Sequence, residues 1–279
     1  MSGILMPFPP RLLPNQRSPR PQAHRRRWRS ALLKLCVGGL LVTAVTPALA
    51  QGEQACPAIP AREPLPREAK PELLEDPYWR ARVAELSRVA SRDMSYARMI
   101  FFGDSITHVW HLPVWEQYYG SRGGVNFGVA GDFTQGLLWR LNQGGQWPAS
   151  LKPKLAVLLI GTNNAAYSAP PENTALGIAE TVRLIRQRSP ATRVLIIGIL
   201  PRGADASDPA RRVNQRVNEL VSRCADQRWV FYVDVGNALL DQQGRLSEQI
   251  AHDRLHLTAE GYARLSAALA PTINALMGP

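Results

Sequence analysis

The chain has 279 residues, a formal net charge of +11 and 45% hydrophobic residues, seven of them Trp. That length and apolar content suffice for one domain with a substantial core and exclude a disordered, solvating chain. The charge is unevenly placed: eight Lys or Arg and no acid fall within the first fifty residues, so their removal leaves +3, and the electrostatic case for a nucleic-acid partner goes with them.

Within that first segment, Arg25, Arg26, Arg27, Arg29 and Lys34 precede an apolar run from Leu35 through Ala44, followed by Ala48-Leu49-Ala50. A basic region, a short apolar core and a small-x-small site form the pattern of a secretory signal peptide. The uncharged stretch is shorter than the roughly 18 to 20 residues a bilayer span requires. Residues 1–50 are therefore expected to be cleaved near Ala50, placing the mature chain in the periplasm or outside the cell with no stable membrane span. The arginines also fit the twin-arginine route, which leaves that route and the general secretory one both open. Cys36 lies in the leader, so the mature chain keeps Cys56 and Cys224, which an oxidising compartment allows to bridge or to remain free.

Residues 51–77 are rich in Pro, Glu and Ala and read as an extended arm. The folded domain proper is expected over 78–279. Trp79, Val83, Leu86 and Ala90 recur at helical spacing within Tyr78–Ala90. Apolar, β-branched-rich runs follow at Met99–Phe102, Val125–Phe127, Leu155–Ile160, Val194–Leu200 and Trp229–Val233, with helical patterns over Thr174–Arg188, Asp208–Asp226 and Thr258–Leu276. Strands apolar on both faces, alternating with helices, predict a parallel sheet covered on both sides, a three-layer α/β/α sandwich.

In such a sandwich, polar loops at the carboxyl ends of the strands carry function. Three glycine-punctuated segments follow strands: GDSIT after the first, GVAGD after the second and GTNN after the third. Ser105 in the first segment is either a turn residue or a nucleophile, and a nucleophile needs a base whose tautomer a third group fixes. Near the C-terminus, HDRLHLTAEGY sets Asp253 three residues before His256, a spacing shared by a capped turn and by a base with its orienting carboxylate. His252 and His256 with Asp253 between them also have a zinc-chelating spacing, without the glutamate and third ligand of a hydrolytic site. Gly131 offers a backbone N–H unobstructed by a side chain, and Asn163 a side-chain amide. With the N–H of Ser105 they would give three donors for an oxyanion.

The order Ser105, Gly131, Asn163, Asp253, His256, carried by the blocks FFGDSIT, NFGVAGDFTQGLLWRL, LLIGTNN and DRLHLTAEGY, resembles the SGNH or GDSL hydrolase family. Within it the similarity is nearest to the platelet-activating factor acetylhydrolase α subunits and their bacterial relatives, and LPRG at 200–203 extends it. The resemblance implies a flavodoxin-like five-stranded parallel sheet, Ser105 as nucleophile, His256 as base and Asp253 as its orienting partner. It implies an oxyanion hole of Ser105, Gly131 and Asn163, and neither a metal nor another cofactor. The absence of G-x-S-x-G around Ser105 argues against the α/β-hydrolase fold.

Asp104, Asn164 and Tyr167 are candidates for the substrate pocket, Asp104 reading equally as a carboxylate that holds its own loop. Trp110, Trp115 and Trp147 fit either core or pocket wall, and Trp139, among leucines, fits the core. The expected activity is hydrolysis of short acyl esters, acetyl foremost, on a small ester or an acylated carbohydrate. A lysophospholipase or thioesterase-type activity and a non-catalytic acyl-glycan-binding module are the alternatives. Oligomeric state and the leaving alcohol are not written in the sequence.

Overall fold

A computed structural model describes residues 55–278, so the expected leader and its cleavage site lie outside the described residues. Helix α1 (Pro77–Ala90) opens the regular structure, its first turn capped by the Asp76 carboxylate accepting from Trp79 N at 2.7 Å. Strand β1 (Met99–Gly103) leads into the single-turn α2 (Ser105–His108) and then α3 (Leu112–Tyr118). Strand β2 (Gly124–Gly128), helix α4 (Thr134–Asn142), strand β3 (Leu155–Leu159), the short α5 (Thr162–Ala166) and the long α6 (Pro171–Arg188) follow. Strand β4 (Arg193–Ile197), α7 (Pro209–Val221), β5 (Val230–Val233) and α8 (Ala259–Met277) complete the chain.

The five strands form one parallel sheet in the order β2-β1-β3-β4-β5. Alternate residues point to opposite faces, so two cores result. Ile100, Phe102, Ala156, Leu158, Val194 and Ile196 pack with Trp79, Leu137 and Val182 of α1, α4 and α6. On the other face Met99, Phe101, Val157, Leu195 and Ile197 pack with Trp115 of α3 and Leu265 and Leu269 of α8. This is the predicted three-layer sandwich. The order of winding along the sheet reverses after β2, so β1 and β3 flank the switch point, the place where open α/β sheets form a crevice at the carboxyl ends of their strands.

The expected extended arm is fastened down. Among its described residues a single helical turn spans Arg67–Ala69, Cys56 is disulfide-bonded to Cys224, and Ala55 and Cys56 are buried in the first of the two cores. Trp110, Trp115 and Trp147 are buried core residues, which removes them from the pocket wall; Trp139 packs against the core as expected. Val194–Leu200 is shorter as a strand than its apolar run, because past Ile197 the chain leaves the sheet to form the rim. Among the described residues, no helix is long and apolar enough to cross a membrane.

Candidate active site

Strand β1 ends at Gly103, where a Cβ would come within 2.3 Å of the Leu159 carbonyl oxygen, so only glycine lets β1 and β3 stay paired to the rim. The next residue, Asp104, caps α2 by accepting from Ile106 N at 3.0 Å. Capping places Ser105 at the first position of a helical turn, where its backbone N–H has no partner within the helix. Asp104 itself is only 1% exposed. Its expected contact with substrate is therefore corrected: the carboxyl group lies beneath the rim, committed to the cap.

His256 arrives from the far end of the sequence and meets Ser105 across the crevice, its Nε2 2.9 Å from Ser105 Oγ. On the other side of the ring, Nδ1 is 2.6 Å from Asp253 Oδ2. Asp253 Oδ1 also accepts from the backbone N–H of Leu255 at 3.0 Å and of His256 at 2.7 Å. The Asp-x-x-His segment is a tight turn just before α8, with Arg254 at φ +61°, a left-handed conformation costly for a side-chain-bearing residue. Arg254 is held there by Glu248 and the Leu246 carbonyl, and its own carbonyl accepts from Gly203 N at 2.9 Å. Partial burial pushes the Asp253 carboxyl up, but the hydrogen bonds from the His256 ring and from backbone N–H groups outweigh it and hold the pKa down at about 2. Asp253 is therefore a carboxylate at any ordinary pH, able to fix the imidazole tautomer that leaves Nε2 as acceptor toward a serine hydroxyl.

The second and third rim segments supply donors. Gly131 has φ +74°, and a Cβ there would meet nothing within 4 Å, so its backbone is both left-handed and open to the crevice. Asn163, in α5, donates from Nδ2 to the Asp132 carbonyl at 2.8 Å, a contact that orients the amide and leaves its second hydrogen free. His108 Nδ1 accepts from Ala130 N at 3.2 Å; burial, then the nearby guanidinium of Arg82, keep this imidazole's pKa below its ordinary value. Arg202 of the LPRG segment donates to the Thr162 carbonyl at 3.2 Å and so props the loop that carries Asn163. Asn164 is buried and bonded to Thr134 N, while Tyr167 stands exposed at the rim with its ring edge-on to Phe133, centroids 5.3 Å apart.

Beneath the rim lies a network the sequence did not reveal. Asp132 and Arg140, both fully buried, form an ion pair at 2.8 Å, and Trp79 Nε1 donates to the same carboxylate at 2.8 Å. Arg140 also donates to the Phe127 carbonyl at 2.9 Å and to Gln146 Oε1 at 2.7 Å. Burial dominates both partners, pushing the Asp132 carboxyl up and the Arg140 guanidinium down, and their mutual attraction opposes it. The one available signal was an arginine standing among Leu137, Leu138 and Leu141 on a helix too apolar to present a solvated face.

His252, Asp253 and His256 could offer ligand atoms to a cation within 4.8 Å of one another, the single such group of three found among the described residues. In the geometry present, Asp253 is bonded to His256 and His256 to Ser105, and the exposed His252 stacks on His256.

Residues 101–264 match the GDSL-like Lipase/Acylhydrolase family. The human platelet-activating factor acetylhydrolase IB subunit alpha1 is 35% identical over 173 residues, covering 61% of this chain and 73% of that protein. The rat subunit alpha2 is 33% identical over 181 residues, covering 64% and 77%. Among solved structures, a GDSL-like lipase from Bacteroides thetaiotaomicron superposes with a TM-score of 0.56 at 21% identity, over 71% of this chain and 97% of that one. An acetylxylan esterase from Geobacillus stearothermophilus gives 0.50 at 17%, over 65% and 94%. The last two likenesses bear on the fold, and they share its parallel α/β sandwich. The family match spans every rim segment from β1 to α8, and with it the chain belongs to the GDSL-like lipases and acylhydrolases and is a carboxylic ester hydrolase.

Proposed function

We propose that the chain is an exported serine esterase that removes short acyl groups, acetyl first among them, from small esters or acylated carbohydrate. The observation that carries this reading is the continuous hydrogen-bonded line from Ser105 Oγ through His256 to Asp253 at 2.9 and 2.6 Å. As His256 Nε2 takes the hydroxyl proton, Ser105 Oγ attacks the ester carbonyl carbon. The oxyanion that forms is received by the N–H groups of Ser105 and Gly131 and by the amide of Asn163. Collapse expels the alcohol, which takes the proton from His256, and leaves an acyl-serine. Water, deprotonated by the same imidazole, then releases the acid and restores the serine.

The acetylhydrolase and acetylxylan esterase names of the relatives support a short acyl chain. Export is supported by the basic, then apolar, then small-residue order of the first fifty residues and by a bridged cysteine pair, which persists in oxidising compartments. Turnover of p-nitrophenyl acetate is expected to fall about a thousandfold or more in Ser105→Ala and in His256→Ala, with unchanged circular dichroism. Stoichiometric labelling of Ser105 by a fluorophosphonate is the matching result for a reactive serine. A Ser105→Ala enzyme that kept the normal rate would overturn the assignment. A series of p-nitrophenyl esters should show activity declining beyond the shortest chains; a preference for long chains would favour a lipid acyl substrate instead.

A further inference from the structure

Beside the oxyanion loop opens a cavity of about 420 Å³, walled by Arg67 and Glu68 of the arm, Phe133 and Gln135, and Asn164 and Tyr167. None of Ser105, Gly131, Asn163 or His256 lines it; Phe133, Gln135, Asn164 and Tyr167 of its wall are chain neighbours of the two oxyanion segments. Phe133 follows Asp132, whose carbonyl holds Asn163, and Tyr167 N donates to the Asn163 carbonyl at 3.1 Å. From these observations we infer that the arm completes a binding site for the leaving alcohol, and that this site takes a neutral sugar ring. The inference rests on the esterase reading above and names the substrate class for it.

The polar groups of the wall have spare capacity of the right kind. Gln135 is 4% exposed, its Oε1 accepts from Asn164 Nδ2 at 3.1 Å, and its Nε2 donates to no group among the described residues. That Nε2 is not sealed from solvent, so it is open to a ligand or a water in the cavity. Across the cavity, Glu68 Oε2 accepts from Asn173 at 3.1 Å, and its other oxygen has no side-chain partner among the described residues. Tyr167, 79% exposed, offers a ring face held in place by Phe133. Donor amide, acceptor carboxylate and open aromatic face together match a ring with hydroxyls on its edge and C–H groups on its faces. Arg67, the one basic residue among the described lining residues, is paired with Glu72 through two bonds of 2.7 and 2.6 Å, which disfavours a phosphate relative to a neutral ring.

The arm is built into this position rather than laid against it. Glu72 N donates to the Gln135 carbonyl at 3.0 Å and Thr134 Oγ1 to the Glu68 carbonyl at 2.8 Å. On α6, Gly177 lacks a Cβ that would otherwise stand 2.2 Å from the Glu68 carbonyl oxygen. The arm also lies before residue 101, where the family match begins. The wall thus combines Arg67 and Glu68, from before the family match, with Phe133, Gln135, Asn164 and Tyr167, from within it.

The test compares kcat/KM for an acetylated xylo-oligosaccharide with that for p-nitrophenyl acetate, whose alcohol is a single flat ring, in the full mature enzyme. In Glu68→Ala and in Tyr167→Ala the ratio of the two should fall tenfold or more. A ratio within twofold of the wild-type value in both variants would overturn the inference. So would a wild-type enzyme that shows Ser105-dependent turnover of p-nitrophenyl acetate, ignores the acetylated oligosaccharide and is inhibited by phosphocholine; that outcome leaves the esterase reading standing. If Ser105→Ala retained full activity, the esterase reading would fall instead. The site is then judged by calorimetry with unacetylated xylotetraose, whose binding should weaken at least fivefold in Tyr167→Ala and whose failure to bind would dismiss the site.

Discussion

Asp104 is one residue from Ser105, yet its role is set by what surrounds it. Burial dominates and pushes its carboxyl pKa up to about 7, the neighbouring Asp132 adds to the rise, and the Ile106 N–H and the charge of Arg202 only partly oppose it. Between about pH 4 and pH 7 the folded protein therefore retains a proton that the unfolded chain has released, so stability falls as pH rises through that window. Asp253 works in the opposite sense: held at about 2, it contributes stability that is present above the ordinary carboxylate range and is lost as pH falls toward 2. Asp104→Asn keeps a capping oxygen and the shape of the protonated acid while removing the titration. Its melting temperature should match the wild type near pH 4 and exceed it at pH 8, by an amount on the order of a few kcal/mol in stability. Calorimetric scans at the two pH values check this, and equal slopes for both proteins would refute it. Ser105 was legible as a hydroxyl at the end of an apolar strand, whereas the spacing of Asp253 and His256 left a capped turn and a catalytic pair both open, and the family resemblance was what assigned their roles. The burial of Asp104 was not legible, since Gly-Asp-Ser reads alike in a solvated turn and in a sealed one.

The same contrast holds for the secondary structure. Helix α1 was readable from Trp79, Val83, Leu86 and Ala90, which form one buried stripe on an otherwise exposed helix. Helix α4 was not, because seven of its nine residues are buried, so no polar face alternates with an apolar one, and Phe133 at its start makes no side-chain cap. These two helices meet at Asp132, where the Trp79 indole and the Arg140 guanidinium converge on one carboxylate beneath the rim. Because the carbonyl of Asp132 orients Asn163, this joint links a helix outside the family match to the proposed oxyanion donor. Trp79→Phe retains most of the packing but deletes the N–H, leaving a buried carboxylate oxygen short of a partner. The expected cost is about 1 to 3 kcal/mol in urea unfolding. Loosening of Asn163 should lower kcat for p-nitrophenyl acetate more than it raises KM. A variant with normal stability and normal kcat would show that the indole N–H contributes packing alone.

Across the molecule, the covalent link between Cys56 and Cys224 spans 168 positions and joins the start of the arm to the segment after α7. The sequence left this pairing open, because two cysteines that far apart carry no signal of proximity; burial of both in the same core brings them together. Arg183 of α6 reinforces the junction by donating to the carbonyls of Ala55 and Cys56, each at 3.2 Å, and to that of Ile59. Closing so long a loop restricts the unfolded chain far more than the folded one, so the double variant Cys56→Ser/Cys224→Ser should lose about 2 to 5 kcal/mol. In a domain of this size that corresponds to a fall in melting temperature of roughly 5 to 15 °C. Dithiothreitol should reproduce the effect in the wild-type enzyme once the buried bond is exposed by partial denaturation, and should leave the double variant's melting temperature unchanged. The Ser105–His256–Asp253 line is assembled from the turn after β1 and the turn before α8, neither of which the bridge ends on, so p-nitrophenyl acetate hydrolysis at 25 °C should survive in the double variant. Turnover of the acetylated oligosaccharide should fall, because the freed arm no longer presents Glu68 at a fixed place. Equal loss on both substrates would mean that the bridge holds the catalytic rim itself, and an unaltered melting temperature would mean that the noncovalent contacts of the arm already suffice.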